Sequence, residues 1–177
     1  AFYSGRIQVS PNKQSPAQPP PIEWRSVERG LWDEQQNEPE AEEVVHFIRE
    51  MITAGGSVAD GSSMGVITFN QKQQALIQDK IDDLAEMDIE FASAYREVMK
   101  RPLDERLFVK NIENVQGDER DIIVFSIAYG PGTDGRVRAQ FGVLNNAGGE
   151  NRLNVAISRA KERIFVFCST EPENLFV

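Results

Sequence analysis

Residues 150–167 read ENRLNVAISRAKERIFVF. Wound as a helix, Arg152, Val155, Ala156, Arg159 and Arg163 fall on one face through spacings of three, four and seven, and Leu153, Ile157 and Ala160 fall on the opposite side. Guanidinium groups that project together, with small residues between them, suit a planar, two-pronged grip on phosphate better than lysine would. The same arginines also suit a solvated face pairing with Glu150 and Glu162. A second stretch, NVQGDERDIIVFS at 114–126, sets Gly117 inside a charged cluster directly before the apolar run Ile122–Phe125. It reads either as a surface turn into a core strand or as a contact loop, where a missing side chain lets backbone approach a ligand. A third, Thr68–Gln73, joins a short apolar run to a helix start.

Helices alternating with short runs that are apolar on both faces predict an α/β fold: a mostly parallel sheet flanked by helices. Strands are expected at Ile22–Val27, Gly65–Phe69, Leu107–Ile112, Ile122–Ala128 and Ile164–Cys168. Asn37-Glu38-Pro39-Glu40 opens a helix with Asn as cap, Pro in the first turn and Glu at the capping-box position. The stripe Ala41, Val44, Val45, Ile48, Ile52 follows, with His46 off it and facing solvent. Asn70-Gln71-Lys72-Gln73 gives a second capping box, leading to Ile77, Ile81 and Leu84. Further helices are expected over Phe91–Lys100 and Glu150–Lys161. Tyr129–Gly135 reads as a turn-rich loop. The link Glu113–Asp121 is short for a parallel crossover, so the strands it joins are predicted not to be neighbours. In such sheets ligands collect at the carboxyl ends of strands, and the three chemical stretches are all expected there.

The chain has 177 residues, enough for one domain with a substantial core. Residues 1–21 read as an N-terminal segment with a proline-rich linker, PNKQSPAQPPP, and 22–177 as the domain. The opening AFYSGR, without an initiator methionine, predicts a piece of a longer protein. One histidine and one cysteine, Cys168, make a zinc site or an internal disulfide a poor fit. The lone cysteine, inside an apolar run, fits a reducing, cytoplasmic compartment. No run approaches the roughly 20 apolar residues that span a bilayer, so no membrane partner is expected. A net charge of −9 argues against a broad basic face, though not against a narrow groove for nucleic acid.

Taken together, these stretches resemble the motifs of superfamily 1 helicases. VQGDERDIIVFS is similar to motif V, NRLNVAISRAKERIFVF to motif VI, and GVITFNQKQ to motif IV, with its glutamine at Gln73. FYSGR followed by prolines resembles the segment that precedes these motifs in the group including the nonsense-mediated-decay helicases. Order and spacing agree along nearly the whole chain. The resemblance implies a second RecA-like domain, of the P-loop NTPase fold but lacking the P-loop. Arg152 would be the arginine finger for the γ-phosphate of ATP, and Arg159 would brace the phosphate network or the helix. Gln73, Gln116, Gly117 and Glu119 would meet the nucleotide, with Glu119 on the sugar side. Asn70 and Asn114 would face the nucleic-acid groove. ATP and Mg2+ would be held mainly by a first RecA-like domain of the same chain, with single-stranded DNA or RNA as the track, and this piece would not hydrolyse ATP alone.

Departures accompany the match. Gln74 stands where some relatives carry arginine, and Glu113 where aspartate is usual. GGSVADGSS imitates a P-loop, but Ser62 occupies the lysine position and the stretch precedes a strand. Asp82-Asp83 lacks the apolar strand that a Walker B motif requires. The alternative reading is a non-catalytic α/β module that binds a protein partner through its acidic surface.

Overall fold

The structure, a computed structural model, describes residues 20–137 and 145–170. Five strands form one sheet: β1 (Ile22–Ser26), β2 (Met64–Thr68), β3 (Phe108–Asn111), β4 (Arg120–Ser126) and β5 (Ala160–Cys168). Their order is β1-β5-β4-β2-β3, and every pairing is parallel. This is the parallel α/β sheet expected from the alternating pattern, in the RecA-like arrangement that the motif resemblance implied. The strands β3 and β4 are separated by β2, as the shortness of their link required.

The apolar doublets of β4 explain how the two layers form. Ile122 and Val124 face one core with Met64, Val66, Phe165 and Phe167. Helices α1 (Glu38–Ile52), α2 (Gln71–Met87) and α3 (Ile89–Lys100) cover that face through Ile48, Ile52, Ile77, Ile81, Phe91 and Val98. The alternate residues Ile123 and Phe125 join Ile67, Ile164 and Cys168 on the other face. There α4 (Gly149–Ile157) contributes Leu153 and Ala156, and a 3-10 turn at Ile112–Asn114 leads to Val115. Burial on both faces is what a strand of continuous apolar residues demands. Among the described residues no helix is long and apolar enough to cross a membrane.

Two local expectations are corrected. The helix expected over Glu150–Lys161 ends at Ile157, and β5 begins at Ala160. Arg120 pairs with Ala160 across the ladder, so sheet pairing with β4 takes these residues out of the helix. Both capping boxes are half-formed. Asn37 and Asn70 accept from the backbone N–H groups of Glu40 (3.2 Å) and Gln73 (2.8 Å), as expected of caps. The return halves are absent because the Glu40 and Gln73 side chains turn inward, toward partners brought by distant parts of the chain.

Candidate functional site

The loop between β3 and β4 alternates between anchors and exposed positions. Val115 is buried, and the Asp118 backbone N–H closes a turn onto its carbonyl at 3.3 Å. Gly117 occupies the third position of that turn with φ +88°, a region that disfavours any side chain. Asp118 is held by Lys110 Nζ at 2.7 Å. Asp121 accepts from both the N–H (2.8 Å) and the Oγ (2.7 Å) of Ser63, and its own N–H donates to Ser63 Oγ. Burial pushes the Asp121 carboxyl up, but these bonds outweigh it and hold the group below its usual range. Arg120, the one member of the charged cluster withdrawn from water, is 3% exposed. Between these anchors Glu113, Asn114, Gln116, Gly117 and Glu119 are all exposed.

Glu119 and Arg159 immediately precede β4 and β5. Because all strands are parallel, both residues sit at the amino edge of the sheet, not at the carboxyl edge where the three stretches were expected together. Segments that enter a strand must arrive at that edge, whatever edge the previous strand left from. There Arg159 Nη1 stands 3.9 Å from Glu119 Oε1. The guanidinium is steadied by bonds to Val155 O (3.0 Å) and Ser158 Oγ (3.0 Å). Arg152 is half-buried in the early part of α4, with roughly 8 Å of helix rise between it and Ile157. Arg163 is not on the helix at all. It lies in β5, donates to Glu23 Oε2 at 3.0 Å and stacks over Phe165 at 4.4 Å. The single arginine face therefore divides among a helix, a turn and a strand.

Gln73 is fully buried. Its Oε1 accepts from Asn37 N (2.8 Å), and its Nε2 donates to Asn37 O (3.1 Å) and Ser126 Oγ (3.2 Å). All of these bonds lie inside the protein, so Gln73 ties α1 to α2 in this arrangement and presents nothing to solvent. Beside it Glu40, also fully buried, accepts from Ser126 Oγ (2.7 Å), Ala128 N (2.6 Å) and Ser169 Oγ (3.4 Å). Burial pushes its carboxyl up to about 7 against these bonds. This polar knot at the carboxyl edge was missed from the sequence, where Glu40 read as a capping-box residue. Asn70 lies at the same edge as the cap of α2; its Nδ2 is buried and has no hydrogen-bond partner among the described residues. Asn114 ends the 3-10 turn in solvent.

The departures also have structural outcomes. Gln74 staples α2 to the edge of β3 through Val109 O (3.1 Å) and Asn111 N (3.0 Å). The stretch 55–63 forms turns that lead into β2, and Asp82 and Asp83 are exposed on α2, so neither has the setting of a phosphate or magnesium site. His46 is exposed and pairs with Glu50 at 3.3 Å. The opening FYSGR and most of the proline-rich linker lie outside the described residues.

The exposed turn around Gly117, next in sequence to the Glu119–Arg159 pair, is the region in which the stretches resembling motifs V and VI meet. A family model described as an AAA domain matches residues 2–171. The chain belongs to the AAA-domain family. This AAA domain is 42% identical over 146 residues to the uncharacterized ATP-dependent helicase MG140 of Mycoplasma genitalium, covering 82% of the chain and 12% of the relative. It is also 42% identical over 139 residues to the homolog of that helicase in Mycoplasma pneumoniae, covering 78% of the chain and 12% of the relative. The AAA domain thus spans about an eighth of the length of the curated relatives it matches. Its motif resemblance to a superfamily 1 helicase C-terminal domain agrees with both findings.

Proposed function

We propose that this chain is the second motor domain of an ATP-dependent superfamily 1 helicase. Its amino-edge turn and arginines form one wall of a nucleotide cleft whose other wall, a first RecA-like domain, holds most of ATP and Mg2+. The contact between Glu119 and Arg159 carries the reading. It joins motif V to motif VI where the exposed Glu119 carboxylate meets the largely buried Arg159 side chain, and the 3.9 Å separation is a loose ion pair instead of a locked one. The residues fit a nucleotide. Glu119 offers acceptors for sugar hydroxyls, and Arg159 offers a cation for phosphate. Gly117 leaves its backbone approachable, because no atom lies within 4 Å of where a Cβ would stand.

Bound ATP supplies the phosphoryl group whose hydrolysis drives movement along single-stranded DNA or RNA. The role of this chain is to place positive charge against that group, a contribution worth ~10³–10⁵ in rate where an arginine finger operates. The motif correspondence gives the finger to Arg152, and the juxtaposition with Glu119 sets Arg159 at the rim. Asn70, at the carboxyl edge, and Asn114, in the loop just ahead of the Gly117 turn, are the nucleic-acid contacts in this reading. The domain works inside the cell and does not hydrolyse ATP alone.

Alanine substitution of Arg152 and of Arg159, each in the full-length protein, tests the proposal. One of the two should lower kcat by at least ~10³ while ATP binding is largely retained. That variant identifies the finger. Unchanged turnover in both variants refutes the cleft reading.

A further inference from the structure

Arg120 is the one cation of the motif V stretch, and it is withdrawn from water. Its Nη1 donates to Glu119 O (2.7 Å), its Nε to Arg106 O (2.8 Å) and its Nη2 to Leu103 O (3.0 Å). The guanidinium stacks on Phe108 at 4.8 Å. Its hydrogen bonds go to carbonyls, and its nearest charges (Asp118, Asp104, Asp121 and Glu105) act only at a distance. Burial pushes it below the usual arginine range. A buried cation is a costly peg, and an apolar side chain often does as well where only packing is needed. The planar fork does something an apolar residue does not: it ties three separate peptide carbonyls to one group.

The connection that it grips is itself fixed by arginines. Arg106 Nε donates to Arg101 O (2.8 Å), and Arg101 donates to Ser62 O (3.0 Å) and Val58 O (2.6 Å). A continuous chain of guanidinium-to-carbonyl bonds therefore runs from the segment before β2, through the α3–β3 connection, to the carbonyl of Glu119. From its own backbone, Arg120 N–H donates to Arg159 O at 3.0 Å. One residue thus holds the peptide of Glu119 with its side chain and the peptide of Arg159 with its main chain.

We infer that Arg120 is a positioning residue for the nucleotide-facing pair, setting the peptides of Glu119 and Arg159 so that carboxylate and guanidinium meet at the amino-edge rim. This rests on the proposed nucleotide cleft, and it acts through Glu119 without touching the ligand.

The test uses the full-length protein with Arg120→Met, which keeps a stem over Phe108 but no donors, and Arg120→Lys, which keeps the charge but not the fork. Affinity for a non-hydrolysable ATP analogue is measured for each, in the wild-type background and in a Glu119→Ala background. Arg120→Met should weaken analogue binding about tenfold in the first background and clearly less in the second, where only the contribution through Arg159 remains, with Arg120→Lys in between. Equal losses in both backgrounds would mean a general loss of structure and overturn the inference, as would wild-type affinity in either single variant. Hydrogen exchange provides a readout that does not depend on the nucleotide. The Arg120 amide, bonded to Arg159 O, should exchange faster in both variants, and unchanged protection overturns the inference. Should Glu119→Ala itself leave analogue affinity intact, the cleft reading fails, and the exchange result still decides the positioning role. Should Arg120→Met not fold, Arg120→Lys carries both measurements.

Discussion

Glu40→Gln isolates a buried charge and allows its cost to be read against pH. In the folded protein burial raises the Glu40 carboxyl from its ordinary 4.5 to about 7. The folded state therefore holds the proton more tightly than the unfolded chain does. The stabilisation from this difference is fully present below pH 4.5, falls as pH rises, and is gone above about 7. The interval between the two values corresponds to about 3 kcal/mol, of which about 2–3 kcal/mol is lost between pH 5 and 8. Glutamine keeps the shape and one oxygen to accept from Ala128 N–H, but it never has to ionise. Denaturant unfolding at fixed temperature, at intervals from pH 5 to 8, gives the two stabilities directly. The wild-type protein should lose about 2–3 kcal/mol relative to Glu40→Gln across that range, with unchanged m-values. Asp88, Glu97 and Asp121, whose carboxyls are held below their usual range, titrate at lower pH and appear equally in both proteins. Parallel pH profiles would show that Glu40 does not carry this proton and would refute the reading of the knot.

Gly117→Ala forces a side chain into φ +88°, and although the space around it is open, the backbone cost should lower stability by about 1 kcal/mol. Denaturant melts measure that loss, and nucleotide affinity of the full-length protein should fall beside it; neither changing would mean that the turn relaxes freely. Ser63→Ala removes one donor to Asp121 and the acceptor of its N–H, and should cost about 2 kcal/mol at neutral pH. Part of that loss should vanish in acid, because the low carboxyl range of Asp121 depends on the same bonds. The variant should therefore approach wild-type stability as pH falls below about 4, a convergence visible in thermal melts at two pH values.

Much of this molecule was legible because the relevant physics is local. The both-faced apolar run of Ile122–Phe125 announced a strand buried in a parallel sheet, and the structure puts β2 and β5 on either side of it. Asn37 and Asn70 announced their helices, since a cap acts on a backbone N–H three residues away. Gly117 announced a turn, and the short link before β4 announced that β3 lay elsewhere in the sheet. Other features were decided by contacts that no local pattern encodes. Glu40 and Gln73 sit at capping-box positions, yet their partners at Asn37, Ser126, Ala128 and Ser169 come from other elements, and that competition undid the boxes. The helix of motif VI stopped early because Ala160 found a ladder partner in Arg120. Periodicity carried Arg152, Arg159 and Arg163 along one face, but periodicity cannot know where a strand captures the chain.

The sequence by itself determined the kind of sheet and the starts of its helices, and it carried the resemblance to superfamily 1 helicase motifs. Only the tertiary structure decided which edge each motif reaches. It alone sent Arg120 inward and set Glu119 beside Arg159. The reason is that side chains far apart in sequence compete for the same hydrogen-bonding groups, and only the assembled sheet decides which of them win.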